Sequence, residues 1–363
     1  MSNESERPKG IYKVADYLKK LKHVWKHGRD AGLSTGIYLL DSFFRLVLGK
    51  LVIVTGIPSS GKSELVDMLI INTAHMYDWK WAVFSPENHP LDEHHIKLAE
   101  KYIGKPWKDT YSRKGFTQAD FHSSADFIEK HISFIYPPED ELSLDGILSI
   151  IEWLAENEGL NGMVIDPWNE IEHKIPAGMN ESNYIAWALG KIRRFARKHN
   201  IICFVIAHPT KLEKDKSTGL YPPPTPYNIS GSANWRNKAD YCLCVHRDDP
   251  NATDTSVFVQ KVKFKGTGRC GALTLYYDYF CGRYSDVNGN FVLPDKCYEP
   301  QQGFEFGTDD SEECFDIEDG TETADDDGPI ERKSNSQTIQ GKHGTFFIPA
   351  LPPDGNTYAG KGA

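Results

Sequence analysis

Residues 51–63 read LVIVTGIPSSGKS, a short apolar run that leads into a loop of Gly, Pro and Ser. The loop has the spacing GxxxxGKS, and a stretch of helical character, residues 63–77, follows it. Glycines let such a loop wrap so that backbone N–H groups face phosphates, and the N-terminus of the helix adds its positive dipole end. A strand, this loop and a helix in this order predict a P-loop that binds a nucleotide. We expect the site to contain Gly56, Ser59, Ser60 and Gly61, with Lys62 on the β- and γ-phosphates and Ser63 on Mg²⁺.

Apolar runs and helical stretches alternate from Lys50 to His208. Continuous apolar strands separated by helices are typical of a parallel sheet that is covered on both faces. The predicted strands are residues 51–56, 81–85, 132–136, 162–166 and 201–208, and the predicted helices are residues 63–77, a segment of about 40 residues after 85, 144–158 and 184–199.

After Tyr241 strands follow one another across short turns, which predicts an antiparallel extension of the sheet. The extension comprises YCLCVHR, TSVFVQKVKF, GALTLYYDYF, GRYSD and FVLP. The predicted fold class is therefore α/β, a mostly parallel central sheet with helices on both faces and an antiparallel C-terminal part. We expect three regions: an N-terminal helix region over 1–33, a core over 34–300 and an acidic disordered tail over 301–363.

The net charge of −10 comes from the end of the chain. Residues 305–363 hold 14 acidic and 4 basic side chains, which leaves 37 of each sign in residues 1–304. The core is therefore neutral, and a local basic surface for nucleic acid is compatible with the composition. The seven cysteines lack CxxC spacing, which predicts neither a disulfide framework nor a zinc site. The sequence also has no long apolar run, and its N-terminus is polar. Together these features predict a cytoplasmic protein.

Three side chains follow the ends of predicted core strands, where α/β proteins place their sites. Asp166 ends GMVID and is the candidate carboxylate for Mg²⁺. Glu87 follows WAVFS and is the candidate base that orients the attacking water, although a carboxylate there could also cap a helix. His208 ends IICFVIAH, where it could sense the γ-phosphate or serve as a cap.

These pieces in this order resemble the RecA-like replicative helicases, which include the DnaB type, the phage primase–helicases and mitochondrial Twinkle. The resemblance covers residues 34–290 and is carried by STGIYLLDSFFRLVLGKLVIVTGIPSSGKS, FSPENHP, VIDPWNEIEH, VIAHPTK, ISGSANWRNKADYCLCVHRD and QKVKFKGTG. It implies a RecA-like P-loop NTPase fold and an ATP-driven DNA helicase, with Glu87 as catalytic base and His208 as the sensor that couples the γ-phosphate to DNA loops.

The resemblance also implies a homo-hexamer in which ATP, or dTTP as in phage relatives, lies between neighbouring subunits. The neighbour's basic pair would be Lys261 and Lys263, so that a lysine replaces the family's arginine finger, with Arg269 as a further candidate. Arg247 and Tyr277 fall near the positions that sandwich the nucleotide base. Lysine lacks the planar fork with which arginine clasps a phosphate, so we expect a weaker finger.

Two segments resemble the DNA loops of this family. One is HKIPAGMNESNY at residues 173–184, and the other extends from Lys211 to Arg236 and is too long for a plain connector. The basic residues that the second segment offers to single-stranded DNA are Lys211, Lys214, Lys216 and Arg236, each of which could also be an ordinary surface charge.

Residues 11–30 have apolar side chains at helical spacing among lysines and predict an amphipathic helix. It could pack on its own domain or dock on a neighbouring subunit. The sequence shows no primase half, so we expect a stand-alone helicase core in a bacterial or phage-infected cell. The acidic tail resembles those of phage helicases that bind their polymerase, which implies a DNA polymerase or primase as partner, and its composition would equally allow a solubilising tail or a DNA mimic that restrains binding. A RadA-like recombination ATPase and a KaiC-like regulatory ring are the alternative functions.

Overall fold

The apolar runs form one nine-stranded sheet in the computed structural model of the chain, which describes residues 10–138, 141–231 and 233–287, together with 339–341 and 344–346. The order across the sheet is β3-β2-β4-β5-β1-β6-β7-β8-β9. The first six strands are parallel and the last three antiparallel. The strands are β1 Leu51–Thr55, β2 Trp81–Phe84, β3 Ile132–Phe134, β4 Gly162–Ile165, β5 Ile202–Ile206, β6 Tyr241–His246, β7 Asp254–Val262, β8 Gly271–Asp278 and β9 Arg283–Ser285.

Helices cover the parallel strands on both faces, as predicted. Alternate residues of β1 point to opposite sides, so that Val52 and Val54 join one buried cluster and Leu51 and Ile53 the other. The first cluster includes α3, α4 and α5, and the second includes α6, α7 and α8. The helices are α1 Leu18–His27, α2 Tyr38–Asp41, α3 Lys62–Tyr77, α4 Leu91–Ile103, α5 Gln118–His131, α6 Leu144–Asn157, α7 Glu181–His199 and α8 Asn234–Lys238.

Two details of the predicted order are wrong. The 40-residue helical segment is interrupted by a loop, because α4 ends at Gly104 with φ +80° and α5 begins after the Thr117 cap. Strand β6 was expected in the antiparallel extension but pairs in parallel with β1, so the direction changes one strand later. Its Cys242 and Cys244 are buried and pack in the core.

One edge of the sheet collects the ends of four strands. The register pairs Val54 with Ile206, Ile165 with Val205 and Phe84 with Ile165, so β1, β2, β4 and β5 all finish at this edge. The loops that follow these strands carry the P-loop, Glu87, Asp166 and His208. We call this edge the P-loop edge.

The N-terminal helix α1 is present, preceded by a 3-10 turn at Val14–Tyr17, and neither has a buried residue. Its apolar side chains stand in solvent, with Trp25 82% exposed and Leu21 44% exposed. Of the two interpretations of this helix, packing on its own domain is therefore wrong for the described residues.

The acidic run over 305–331 and the predicted strand FVLP lie outside the described residues. Beyond them, a short antiparallel hairpin is formed by β10 Ile339–Gly341 and β11 Gly344–Phe346, in a separate unit of the chain. The three-region division remains a prediction.

Candidate active site

The P-loop follows β1 and closes tightly at both of its glycines. A Cβ atom at Gly56 would lie 2.2 Å from the carbonyl oxygen of Val245, and Gly61 has φ +92°, which disfavours other residues. Helix α3 begins at Lys62, whose Nζ donates to the carbonyl oxygen of Ile57 at 3.0 Å. Burial lowers the pKa of Lys62, and the nearby carboxylates oppose that change. The lysine is therefore folded over the loop, where an anion would be the better partner.

Asp166 lies beside the start of α3, directly after β4. Its carboxylate is buried, accepts a hydrogen bond from Ser63, and lies 3.4 Å from the hydroxyl of Ser85. Burial raises its pKa to about 6, and the nearby Asp67 and Glu87 carboxylates add to the rise. A cation would stabilise the charged form of a buried carboxylate that lies near other carboxylates. Mg²⁺ is commonly held by one or two carboxylates together with phosphate oxygens and water. The residues present therefore fit a Mg²⁺–nucleotide complex.

Glu87 and His208 come together across the cleft from Lys62. Glu87 stands on a 3-10 turn, Pro86–Asn88, between β2 and α4, and its Oε1 lies 3.4 Å from His208 Nε2. Burial lowers the pKa of His208, and the positive charge of Lys62 lowers it further. A neutral imidazole beside a half-exposed carboxylate is suited to sense a change at the phosphate, so the arrangement supports the two predicted roles, which stay predictions.

A cleft of about 670 Å³ runs over these groups, within the range of small-molecule sites. Arg247 lies over two tyrosine rings of the cleft. Its guanidinium carbon is 5.0 Å from the ring centre of Tyr277 and 6.0 Å from the ring centre of Tyr279. The cleft is lined by Pro58, Ser59, Gly61, Lys62, Ser63, Glu64, Glu87, Asn88, Lys97, His208, Arg247, Tyr277 and Tyr279.

Several buried polar atoms at this cleft find no hydrogen-bond partner within the described part of the chain. They are Ser60 Oγ, Arg247 Nη2 and His208 Nδ1. Buried polar groups without partners are costly, so a polar ligand in the cleft would be stabilised by them. Phosphate oxygens suit the Ser60 hydroxyl and the Arg247 guanidinium, which can donate, whereas Nδ1 of a neutral His208 whose Nε2 faces Glu87 is an acceptor. Among the described residues no cluster of three or more His, Cys, Asp or Glu side chains could hold a metal by itself.

Sequence reasoning missed five residues of the cleft: Pro58, Glu64, Asn88, Lys97 and Tyr279. Tyr279 is two residues past Tyr277, and its hydroxyl accepts a hydrogen bond from Arg247 at 3.3 Å. Asn88 follows the predicted base directly, so its position next to Glu87 was a usable signal. Lys97 lies on α4, and only the packing of that helix brings it to the cleft.

The predicted finger residues lie away from their own cleft. Lys261 donates to the carbonyl oxygens of Arg236 and Ala239, the second at 2.7 Å, and Lys263 Nζ is 3.6 Å from Asp240 Oδ1. Asp240 also accepts from the backbone N–H of Leu51, at the start of β1. These lysines therefore lie at the edge of the sheet opposite the P-loop edge. The third candidate, Arg269, stacks on Phe43 with 5.1 Å between its guanidinium carbon and the ring centre.

The two predicted DNA loops leave the P-loop edge. The longer one follows His208 and is anchored where Thr210 donates to the carbonyl oxygen of Asn228 at 2.7 Å, and where Trp235 is buried. Between these anchors the loop is largely exposed. Its basic residues are distributed as follows: Lys211 and Lys216 are exposed, Lys214 lies over the Tyr221 ring, and Arg236 lies over the Tyr227 ring.

In the shorter loop, His173 stacks on Trp168.

The chain is 34% identical over 297 residues to the chloroplastic/mitochondrial Twinkle homolog of Arabidopsis thaliana, a match that covers 79% of this chain and 41% of the plant protein. The chain thus spans less than half the length of this relative. No protein-family model matches the chain.

Two solved structures share the fold. The first is an ATPase domain that superposes with a TM-score of 0.62 at 17% identity, covering 77% of this chain and 100% of that domain. The second, a DnaB-like replicative helicase solved in a study of its interactions with primase, gives 0.56 at 16% identity, covering 78% of this chain and 69% of its own. The predicted resemblance to the Twinkle and DnaB type is confirmed, and the fold is that of a RecA-like ATPase.

No described helix is long and apolar enough to cross a membrane.

Proposed function

We propose that this chain, with its RecA-like fold and its similarity to the Twinkle homolog, is the motor of an ATP-driven replicative DNA helicase. The observation that carries the proposal is the P-loop edge. The P-loop, Asp166 and the Glu87–His208 pair converge there, and the segment that leaves β5 passes through His208 into the exposed basic loop. One short segment therefore joins the nucleotide cleft to a surface suited to single-stranded DNA.

The proposed reaction is the in-line attack of water on the γ-phosphate. Lys62 and the P-loop N–H groups would bind the phosphates, and Ser63 and Asp166 would hold Mg²⁺, which would neutralise charge on the phosphates. Glu87 orients the water and accepts its proton. His208, in contact with Glu87, would register the loss of the γ-phosphate. The substrate is ATP, or dTTP as an alternative.

The DNA contact is assigned to the loops over 173–184 and 211–236. Lys211, Lys214, Lys216 and Arg236 would approach phosphates, and six copies in a ring multiply a modest charge per copy. The exposed loop surface supports this assignment, because binding and catalytic residues commonly lie on loops held by a rigid scaffold.

Two features of the single chain support the proposed homo-hexamer. Lys261 and Lys263 lie at the opposite edge of the sheet, so they would complete the cleft of a neighbour and not their own. The exposed apolar stripe of α1 would dock on an adjacent copy. Lys263 stands where the family has its arginine, and we propose that it serves as a weaker finger.

We further propose that the acidic segment after 301 binds a DNA polymerase or primase, and that the protein works in the cytoplasm of a bacterial or phage-infected cell. Deleting the segment after residue 302 should abolish binding to the polymerase or primase encoded with this chain while leaving ATP hydrolysis intact. Loss of hydrolysis in the truncated chain would argue for a structural part of the segment.

The proposed function is tested by ATP hydrolysis with and without single-stranded DNA, with Glu87→Gln as the matched variant. We expect strong stimulation by DNA, its loss in Glu87→Gln, and unwinding of a forked duplex by the wild-type protein. Slow hydrolysis that ignores DNA would favour a KaiC-like regulatory ring. DNA-stimulated hydrolysis with strand exchange and no unwinding would favour a RadA-like recombination ATPase.

A further inference from the structure

A line of hydrogen bonds connects helix α4 to the Asp166 carboxylate through the residues before and after Glu87 in the chain. Lys97 Nζ donates to Asn88 Oδ1 at 2.8 Å, Asn88 Nδ2 donates to Ser85 Oγ at 2.8 Å, and Ser85 Oγ lies 3.4 Å from Asp166 Oδ2. We call these three donors, Lys97, Asn88 and Ser85, the α4 relay. Ser85 directly precedes the turn that carries Glu87, and Asn88 is the last residue of that turn.

We propose that Lys97 and Asn88 are positioning residues that fix Glu87 relative to Asp166 and so set the rate of hydrolysis. The inference rests on the proposed function of the cleft and adds two residues that act through others and do not bind the substrate.

The turn needs such support because little else holds Glu87 itself. The turn is three residues long, and the Glu87 side chain is 49% exposed. Its contact with His208 is 3.4 Å long and joins it to another side chain that lines the cleft. By contrast, the base of the turn is fixed twice. Ser85 is buried, and its carbonyl oxygen accepts from Tyr136 Oη at 2.9 Å.

Lys97 is itself held from two sides. Its Nζ lies 3.6 Å from Glu64 Oε1, and Glu64 belongs to the first turn of the P-loop helix. The lysine therefore spans from α3 to the turn of Glu87, with an ion pair to Glu64 at one end and a charge-assisted hydrogen bond to Asn88 at the other. The position of a catalytic base strongly affects the rate of the reaction, since a misplacement of about 1 Å can lower the rate about a hundredfold.

The competing interpretation is that Lys97, as a cation in the cleft, binds a phosphate directly. The two interpretations differ in kinetics. A positioning residue acts on the chemical step and lowers kcat with little change in KM, whereas a residue that binds ground state and transition state equally raises KM alone.

The first measurement is the steady-state kinetics of ATP hydrolysis for Lys97→Met, Asn88→Ala and Lys97→Arg, with Lys114→Met as an exposed control. Lys97→Met and Asn88→Ala should lower kcat by about tenfold to a hundredfold while KM and the binding of a fluorescent ATP analogue stay near wild type. Lys97→Arg retains the donor and should recover most of the loss, and Lys114→Met should match wild type. An increased KM at unchanged kcat, or full kcat in Lys97→Met, would overturn the proposal.

The second measurement does not depend on hydrolysis. Hydrogen–deuterium exchange of the amides over 85–89, without nucleotide, should be faster in Lys97→Met than in wild type and unchanged in Lys114→Met. Equal exchange in all three proteins would show that the relay does not hold the turn. If wild type lacked hydrolysis but the exchange difference were present, the proposed function would fail while the structural part of this inference stood.

Discussion

Lys101 offers a test of how a buried charge pair stabilises the nucleotide-binding face of this domain. Its side chain is 1% exposed and pairs with Glu64, which also accepts from Tyr277 Oη at 2.9 Å. Substituting Lys101→Met keeps the length of the side chain but leaves the Glu64 carboxylate largely buried without its main partner. Breaking a buried pair from one side is strongly destabilising, because an uncompensated charge remains.

The magnitude follows from the pKa of Glu64. Burial alone would raise this pKa, but the ion pair and hydrogen bond from Lys101, with help from Lys97 and Tyr277, lower it from 4.5 to about 2. At about 1.4 kcal/mol per pKa unit, the difference corresponds to about 3 kcal/mol in the free energy of unfolding. For a domain of this size we expect the melting temperature of Lys101→Met to fall by about 6–12 °C.

The sign of the pH dependence is fixed by the lowered pKa. Stabilisation by the pair is complete above pH 4.5 and is lost as the pH falls toward 2, where Glu64 becomes protonated in the folded state. The difference between wild type and Lys101→Met, measured by thermal or urea unfolding, should therefore be largest near pH 7 and shrink below pH 4.5. Adding Glu64→Gln to Lys101→Met should recover most of the stability, since no buried charge then remains.

Lys105→Met provides the matched control. Lys105 pairs with Asp120 at 2.6 Å on the surface, with 40% of its side chain exposed, and removing such a pair should cost about 1 kcal/mol or less. If Lys101→Met unfolded within about 2 °C of Lys105→Met at pH 7, or if its deficit were the same at pH 3, the reasoning from burial would be wrong.

Three further outcomes are expected. Gly56→Ala should lose ATP binding in a fluorescence titration, because its Cβ would meet the Val245 carbonyl oxygen at 2.2 Å; binding within threefold of wild type would contradict the tight P-loop. Lys263→Ala should lower DNA-stimulated hydrolysis by about a hundredfold or more and Lys263→Arg should equal or exceed wild type; equal rates in all three would remove Lys263 from the site. Trp25→Glu together with Leu21→Glu should shift the protein from a ring to smaller species in light scattering, and an unchanged mass would exclude α1 from the assembly.

Strand identity could be predicted well because the apolar runs are short, continuous and bounded by Gly, Pro or charged residues. The direction of β6 could not, since YCLCVHR has the same apolar character in parallel and antiparallel pairings. The break between α4 and α5 was missed because the helical pattern resumes beyond the loop. Only the αL glycine at 104 and the Thr117 cap mark the interruption, and both are weak signals in a long window.

The site residues that could be predicted are those that follow a strand directly. Glu87, Asp166 and His208 fall into this class because parallel strands end at a common edge, and Ser63 was predicted from the spacing of the P-loop. Lys97 lies ten residues past Glu87 on a helix, so that its approach to the cleft depends on how α4 packs against α3. That packing is set by many apolar contacts and leaves no local pattern in the sequence.

The two edges of the sheet explain why a single chain would make a poor ATPase. Lys263 lies near Asp240, which bonds to Leu51 at the start of β1, whereas the P-loop begins after Thr55 at its end. Four residues of strand separate these points by about 13 Å along β1, and β6 lies between Lys263 and β1. A lysine side chain cannot cover that path around a packed sheet. We therefore propose that DNA-free protein at low concentration hydrolyses ATP slowly, and that the specific activity rises with protein concentration as copies bring the two edges together.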